Sequence, residues 1–295
     1  MIEIPERFAE TLIAREGVAG RAWIASLPGL IAEACDRWDL AIDGAPMPET
    51  FAIVIPVRHG DEPAALKLAL PTALNGDEVI GLRAWDGQGV VKLLDVDTGR
   101  GALLLERLDA DRPLSAVPLM EAAGIAGRLI RRLAIPAPPG VPPLSARSAG
   151  IVTSMPERWA AAGQPFPESL MASAIEVAGE IGPRAGSTLA NWDLHHGNVL
   201  AGEREPWLAI DPMIVAGDPE VSVFPMVLRR VDEMAGPAVL RSFVDRVVDA
   251  GALDMELTAA WMHVRIADYW LWSLGIGLTE DPARCARLID WLGVR

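Results

Sequence analysis

One stretch of the chain decides its fold: Asn191-Trp192-Asp193-Leu194-His195-His196-Gly197-Asn198-Val199-Leu200, followed after a short turn by Trp207-Leu208-Ala209-Ile210-Asp211-Pro212. It sets an Asp and an Asn five positions apart in a loop, and a second Asp at the end of an apolar strand. A phosphoryl-transfer site requires this set, because the reacting group needs an oriented acceptor hydroxyl and a cation that neutralises its charge. The pattern indicates Asp193 as the catalytic residue, and Asn198 and Asp211 as oxygen ligands of Mg²⁺.

The loop and the segment after it form a hairpin with polar groups at both ends. Gly197 allows a tight loop between Asp193 and Asn198, and Val199-Leu200 predicts a buried strand. Residues 207–210 predict the second strand. A simpler interpretation, an acidic turn beside an ordinary hairpin, accounts for the same residues without a catalytic role.

Residues 191–219 resemble the streptomycin and hydroxyurea phosphotransferases, a branch of the aminoglycoside kinases that share the protein-kinase-like fold. In that family the segment typically reads His-Gly-Asp-Leu-His-His-Gly-Asn-Val-Leu and continues to Ile-Asp-Pro and Gly-Asp-Pro. This chain carries Asp193-Leu194-His195-His196-Gly197-Asn198, then Ile210-Asp211-Pro212 and Gly217-Asp218-Pro219. The resemblance implies an α+β, protein-kinase-like fold with two lobes, and ATP and Mg²⁺ as cofactors.

Two positions depart from the family pattern. The chain has Asn191-Trp192 where the family has His-Gly, and Ser222 where the family usually has an Asp after Gly-Asp-Pro. The family residues hold the catalytic loop by hydrogen bonds, and such support commonly matters about as much as the residues it holds. Asn191 and Ser222 can still form hydrogen bonds, but neither carries charge at neutral pH.

The length of the chain, 295 residues, exceeds the usual size of a single core and favours two lobes. By resemblance, residues 1–105 form a nucleotide-binding N-terminal lobe with a helical preface and an antiparallel sheet. Residues 106–110 form the hinge, and residues 111–295 form a mainly helical lobe with the catalytic loop and the acceptor site. The preface is predicted as two helices, because the apolar periodicity of residues 5–38 breaks at 17–20.

Lys67 interrupts an apolar strand, which costs desolvation unless its ammonium group meets an anion. It lies in the second strand of a predicted hairpin formed by residues 51–57 and 64–69. The resemblance implies that the anion is a phosphate of ATP, with Glu78 holding the Lys in place. Glu78 falls in a predicted helix, Asp77 to Trp85, that begins after a cap and turn at Asn75-Gly76. Alternatively, Lys67 is an edge-strand residue that reaches water.

The segment 102–108 is predicted to follow the strand 90–95 as the last sheet strand and the start of the hinge. By resemblance, backbone groups at Glu106 and Leu108 bind the adenine ring. A plain strand end explains the same residues equally well. No glycine-rich phosphate loop occurs between positions 41 and 60, so we assign no nucleotide contact there.

The C-terminal part of the chain shows helical periodicity at 114–133, 167–181, 222–234, 237–250, 254–275 and 281–292. The resemblance implies an acceptor pocket against the last helices, where carboxylates would bind cationic groups. The candidates are Glu233, Asp268, Glu280 and Asp281, beside the aromatic residues Trp261, Tyr269, Trp270 and Trp272. Such an aromatic stripe is more typical of a core.

Composition narrows the class of partner. A formal charge of −14 excludes nucleic acid and favours a cationic small-molecule acceptor. No apolar run reaches the ~18 residues of a membrane span, and the two cysteines, Cys35 and Cys285, suggest neither a disulfide framework nor a zinc site. We therefore expect no membrane partner and a cytoplasmic location.

The sequence thus predicts an ATP- and Mg²⁺-dependent O-phosphotransferase that acts on a hydroxyl of an aminoglycoside-like, streptomycin-type compound and confers antibiotic resistance. Two alternatives stay open. Asn191 and Ser222 allow a degenerate kinase fold that binds nucleotide or ligand without turnover. The same fold with a different pocket would serve as a kinase for a host metabolite.

Overall fold

The computed structural model describes residues 4–70 and 76–293, and the chain divides into two compact units. The N-terminal unit is Met1–Leu108 and the C-terminal unit is Asp109–Arg295. This boundary lies within the predicted hinge, residues 106–110. The nucleotide-binding and acceptor-binding roles of the two parts stay predictions.

The described residues of the N-terminal unit combine helices with an antiparallel sheet. The helices are α1 (Glu6–Trp38) and α2 (Asp77–Trp85). The strands are β1 (Leu40–Ile42), β2 (Met47–Pro48), β3 (Ala52–His59), β4 (Glu62–Ala69), β5 (Leu93–Asp97) and β6 (Ala102–Glu106). The sheet has the order β1-β3-β4-β6-β5, and β2 pairs with β3.

Helix α1 packs against the sheet, because both present apolar faces. Alternate side chains of β3 are buried, as expected for a strand that covers a core on one side. They form one cluster with apolar side chains of α1 and β4: Leu12, Trp23, Leu27, Ile31, Ile53, Ile55, Leu66 and Leu68. The predicted break in the preface falls at Gly17, whose φ of 60° interrupts the helical backbone. Glycine adopts this conformation without a Cβ clash.

The predicted hairpin and the helix after it are present. β3 and β4 pair in antiparallel register, with Val54 opposite Lys67. α2 begins after Gly76, whose φ is 76°, and ends at Trp85. The other residue of the predicted turn, Asn75, lies outside the described residues. Glu78 is in the first turn of α2, where a carboxylate interacts favourably with the helix dipole.

The described residues of the C-terminal unit are mainly helical, with two small sheets. The helices are α3 (Leu119–Leu133), α4 (Leu144–Ala161), α5 (Glu168–Ile181), α6 (Val223–Leu228), α7 (Pro237–Gly251), α8 (Met255–Gly275) and α9 (Glu280–Leu292). The strands are β7 (Asp109–Pro113), β8 (Ile135–Pro136), β9 (Thr188–Asn191), β10 (Val199–Ala201), β11 (Leu208–Ala209) and β12 (Ile214–Gly217).

The two small sheets position the loop that carries Asp193. In one sheet β9 lies between β8 and β12, with Asn191 opposite Ile214. In the other, β10 lies between β7 and β11, so the predicted hairpin of β10 and β11 is present. The loop leaves one sheet at the end of β9 and enters the other at the start of β10. Both of its ends are therefore fixed by strand pairing.

Several predicted helix boundaries are wrong for reasons of backbone chemistry. The helix predicted over 114–133 begins only at Leu119, because Pro118 precedes it and Leu114–Ala116 forms a separate 3₁₀ turn. The helix predicted over 222–234 is reduced to α6 between two 3₁₀ turns. α4 was not predicted, because it follows a proline-rich stretch and contains Pro156, a poor residue inside a helix.

Candidate active site

The catalytic loop, residues 192–198, is tied by backbone hydrogen bonds to the segment that contains Asp211. Trp192 N–H donates to the carbonyl of Met213 at 2.7 Å. At the other end of the loop, Asn198 accepts a hydrogen bond from Ile210 N–H at 2.9 Å. The negative charges of Asp193 and Asp211 both act on His195. The structure therefore brings Asp193, Asn198 and Asp211 into one cluster, while their chemical roles stay predictions.

Asn191 connects the two segments through its side chain. Its Oδ1 accepts hydrogen bonds from Asp193 N–H at 3.1 Å and from Met213 N–H at 3.2 Å. The residue is buried at the end of β9. Ser222 supports it from the opposite side, since its buried Oγ donates to Asn191 O at 2.7 Å. These neutral residues thus supply hydrogen bonds at the two positions where the chain departs from the family pattern.

Arg265 of α8 supplies a charge at the base of the same loop. Its Nη1 donates to Trp192 O at 2.7 Å and to Val221 O at 3.0 Å. The guanidinium lies 3.6 Å from the centroid of the Trp192 ring. Burial lowers the pKa of Arg265 to about 9, against the opposing attraction of Asp193, so the group stays charged at neutral pH. The sequence analysis assigned no role to Arg265. The feature that could have indicated one is a charged residue in a mainly apolar helix.

The two histidines shape the loop. His195 Nδ1 accepts a hydrogen bond from Gly197 N–H at 3.1 Å. A Cβ at Gly197 would lie 3.1 Å from Cε1 of the His195 ring, so this close turn favours glycine. His196 is buried against the ring of Phe243, and burial, with Arg230 and His195, lowers its pKa to about 3. His196 is therefore a neutral packing residue.

Asp211 has a φ of 48°, in the left-handed region that few residues other than glycine adopt. Aspartate tolerates this conformation better than most side chains, and such strain is common at functional sites. The side chain is exposed, and Asn198 is half-buried. Within residues 4–70 and 76–293, no group of three or more His, Cys, Asp or Glu side chains could hold a metal ion. Asn198 and Asp211 nevertheless suit Mg²⁺, which binds few protein oxygens and completes its shell with water and phosphates.

Lys67 and Glu78 form a buried ion pair in the N-terminal unit. Lys67 Nζ lies 2.9 Å from Glu78 Oε1, and the lysine side chain is 5% exposed. A second carboxylate, Glu49, lies 4.0 Å from Nζ. β4 has neighbours on both sides, so the alternative of an edge-strand lysine that reaches water is wrong.

Glu106 ends β6, and Leu108 is the last residue of the N-terminal unit. Glu106 N–H donates to Lys92 O at 2.9 Å, and its Oε2 accepts from Lys92 N–H at 3.1 Å. Of the two backbone groups of Glu106, the amide is therefore already engaged. The assignment of the backbone at Glu106 and Leu108 to adenine stays a prediction.

The four candidate acceptor carboxylates are all ion-paired with arginines. Asp268 pairs with Arg158 at 2.6 Å, Glu233 with Arg230, Glu280 with Arg284 at 3.1 Å, and Asp281 with Arg284 at 2.7 Å. Trp261 is buried core, and its Nε1 donates to Asp218 Oδ2 at 2.8 Å. Trp272, further along the same helix, is 45% exposed. The aromatic stripe is thus core at one end and surface at the other.

A loop that carries one Asp and is hydrogen-bonded to the segment that carries a second Asp, together with a separate buried Lys–Glu pair, is the arrangement expected of protein-kinase-like phosphotransferases. Comparison with known proteins agrees. The profile of the family described as aminoglycoside/hydroxyurea antibiotic resistance kinase matches residues 37–275. The chain belongs to this family.

Individual relatives cover nearly the whole chain. It is 38% identical to a streptomycin 6-kinase from Streptomyces glaucescens over 96% of this chain and 95% of that one. It is 39% identical to a hydroxyurea phosphotransferase from Kitasatospora aureofaciens over 96% of this chain and 84% of that one. Among solved structures, a thermostable mutant of aminoglycoside phosphotransferase APH(4)-Ia with ADP and hygromycin B matches with a TM-score of 0.63. That match is 12% identical and covers 88% of this chain and 97% of the other, so it shows the shared fold.

The protein is therefore a small-molecule phosphotransferase with an α+β, protein-kinase-like fold, as the sequence predicted. Within the described ranges, no helix is long and apolar enough to cross a membrane.

Proposed function

We propose that the protein transfers the γ-phosphoryl group of ATP, with Mg²⁺, to a hydroxyl of a streptomycin-type aminoglycoside. One observation carries the proposal. Hydrogen bonds from Ile210 N–H to Asn198 and from Asp193 N–H to Asn191 hold the acidic loop beside Asp211 in a member of this family.

Asp193 orients the acceptor. The peptide group between Trp192 and Asp193 is fixed at both of its polar atoms, by Asn191 Oδ1 at the N–H of Asp193 and by Arg265 at the carbonyl of Trp192. The carboxylate is half-buried, so it meets solvent on one side only. A carboxylate held in this way can accept a hydrogen bond from a hydroxyl and receive its proton as the phosphate oxygen bond forms.

Asn198 and Asp211 hold Mg²⁺, which when bound neutralises charge on the phosphates. Two protein ligands are sufficient, because this ion retains water and phosphate oxygens in its shell. Asp211, with its left-handed backbone, is exposed. Mg²⁺ affinity is consequently expected to depend on nucleotide.

The nucleotide binds the N-terminal unit. The Lys67 ammonium group, held by Glu78 at 2.9 Å, meets the phosphates, and the backbone at Glu106 and Leu108 meets the adenine. A structural relative was solved with ADP, which supports a nucleotide in this fold. A buried ammonium group needs an anionic partner, and a phosphate supplies a second one.

The acceptor is a cationic small molecule. The relatives named above act on streptomycin and hydroxyurea, and the formal charge of −14 favours a cationic compound of the streptomycin type. A host metabolite kinase would use the same fold, so the acceptor must be tested directly. A cytoplasmic location stays a prediction.

The experiment is transfer of labelled phosphate from ATP to a panel of streptomycin, other aminoglycosides, hydroxyurea and small alcohols. We expect transfer to streptomycin that requires Mg²⁺. Transfer only to small alcohols would favour the metabolite kinase. Transfer to hydroxyurea alone would show that hydroxyurea, and not a streptomycin-type aminoglycoside, is the acceptor.

The same assay tests the degenerate alternative with the variant Asn191→His/Ser222→Asp, which restores the family residues. A native chain without transfer, together with a double variant that gains it, would show that the native protein is a binding protein. Because Asn191 and Ser222 already form the hydrogen bonds described above, we expect the native chain to be active.

A further inference from the structure

One face of α8 runs from the catalytic loop to the protein surface. Arg265, Tyr269 and Trp272 are spaced by four and three residues, so they lie on the same side of the helix. Arg265 marks the inner end, because its Nη1 donates to Trp192 O beside Asp193 at 2.7 Å. Seven residues of α-helix rise by about 10 Å, which is the separation of Trp272 from Arg265 along the helix axis.

The outer part of this face is an aromatic pair with a fixed geometry. The rings of Tyr269 and Trp272 are 5.1 Å apart between centroids, at an interplanar angle of 37°. The Tyr269 hydroxyl donates to Asp281 Oδ2 at 2.7 Å. Burial raises the pKa of Tyr269; the hydrogen bond to Asp281 and the charges of Asp281 and Asp193 act in the same direction, and the charge of Arg229 opposes them. Trp272, the outer ring of this pair, is 45% exposed.

The carboxylates nearby already have cationic partners. Asp268 pairs with Arg158, and Asp281 accepts from Tyr269 and pairs with Arg284. Asp281 is also only 3% exposed. A cationic group of the acceptor would have to displace an arginine to bind either carboxylate. The exposed indole needs no such exchange, because the negative face of its π system attracts a cation directly.

We propose that the indole face of Trp272 is the subsite that binds a guanidinium or ammonium group of the acceptor, about 10 Å along α8 from Arg265, which contacts the loop that carries the catalytic Asp193. The inference rests on the proposed function and names a residue that selects the substrate. It makes Trp272 selective for a cationic acceptor over a neutral one. Streptomycin, which carries guanidinium groups, is the fitting probe, and hydroxyurea is the neutral comparison.

The test is the dissociation constant of streptomycin, measured by calorimetry in the presence of AMP-PNP and Mg²⁺, for Trp272→Leu and Trp272→Phe. Leucine keeps an apolar side chain but has no π face, so we expect affinity to fall about tenfold. Phenylalanine keeps a π face, and we expect affinity within about threefold of the native chain. The control is Ile276→Ala, another exposed apolar residue at the end of α8, which should leave the dissociation constant unchanged.

Steady-state kinetics on the same variants complete the test. We expect the KM for streptomycin to rise in Trp272→Leu, while the KM for ATP stays the same. Native phosphorylation of streptomycin with equal affinities in native protein and Trp272→Leu would overturn the inference alone. Absence of streptomycin binding to the native chain would overturn both the inference and the proposed acceptor. An equal loss of streptomycin affinity in Trp272→Phe and Trp272→Leu would show that Trp272 has a packing role, and would also overturn the inference.

Discussion

Arg265 lies flat against the ring of Trp192, 3.6 Å from its centroid, and donates to the carbonyl of the same residue at 2.7 Å. The contact joins α8 to the peptide that precedes Asp193. Both side chains are buried, so the charge of Arg265 is balanced by a ring face and two carbonyls instead of water. An arginine that is distant in the sequence thus helps to hold the loop that carries Asp193.

Replacing Arg265 should lower kcat more than it raises either KM. Arg265→Met leaves the carbonyls of Trp192 and Val221 without their donor, each costing about 1–3 kcal/mol of stability. We expect kcat to fall about 10- to 100-fold, because Asp193 loses its fixed position. Arg265→Lys should recover part of kcat, since it restores a charge and one donor.

The matched control for Arg265 is Arg241→Met, an exposed arginine on α7. It should change neither kcat nor the melting temperature. A loss of stability in Arg265→Met without any change in kcat would show that the residue serves the fold alone.

Sequence patterns predicted most elements that carry local periodicity. The β3–β4 hairpin, α2 and α8 follow from alternating or helical spacing of apolar residues. The partner of Lys67 followed from the family resemblance, which implies a helix Glu that holds this Lys, and Glu78 lies 2.9 Å from it. In these cases the residues that decide the structure lie close together in the chain.

What the sequence could not predict depends on contacts between distant segments. Arg265 meets Trp192 only because α8 packs behind the catalytic loop, and no local pattern encodes that contact. The arginine partners of Asp268 and Asp281 were missed for the same reason. α4 was missed because tertiary packing of Leu144, Ile151 and Met155 overrides the cost of a proline inside the helix.

Removing the carboxylate of Asp193 should abolish most turnover. Asp193→Asn keeps the size and the backbone hydrogen bond to Asn191, but it cannot receive the hydroxyl proton. We expect kcat to fall by at least ~100-fold with little change in ATP affinity. The measurement is steady-state transfer together with nucleotide titration, and Asp245→Asn on the exposed face of α7 is the control. Unchanged turnover in Asp193→Asn would refute the assignment.

Asp211 combines a metal role with a strained backbone, and two substitutions separate them. Asp211→Ala and Asp211→Gly both remove the carboxylate, so both should abolish Mg²⁺-dependent ATP binding in calorimetry. Only alanine is strained at a φ of 48°, so Asp211→Gly should be more stable than Asp211→Ala by about 1 kcal/mol. Normal Mg²⁺-dependent affinity in either variant would remove Asp211 from the metal site.

Glu78 should affect ATP affinity through Lys67. In Glu78→Gln the buried ammonium group loses the carboxylate at 2.9 Å, and its position relative to the phosphates is no longer fixed. We expect the KM for ATP to rise about tenfold, with a smaller effect on the KM for the acceptor. Glu62→Gln, an exposed residue at the start of β4, is the control and should behave like the native chain. Equal changes in both KM values would contradict a role at the nucleotide.

His196 should make the protein sensitive to acid. Burial lowers its folded-state pKa to about 3 from an ordinary value of 6.5, so the unfolded chain binds the proton first as pH falls. The stability contributed by neutral His196 is present above pH 6.5 and is lost progressively as pH falls from 6.5 towards 3. One such proton contributes a slope of about 1.4 kcal/mol per pH unit in that window. Burial also lowers the pKa values of His195 and His263, which adds to the slope in the same direction.

The measurement is the free energy of unfolding from urea titrations at several pH values between 7.5 and 4.5. His196→Leu removes the titrating group and keeps an apolar side chain against Phe243, so its slope should be smaller than the native slope by about one proton. His59→Leu, at the exposed end of β3, is the control for a histidine-to-leucine substitution. Equal slopes in the native chain and His196→Leu would show that His196 is protonated without cost in the folded protein, and would contradict its burial as a neutral support of the catalytic loop.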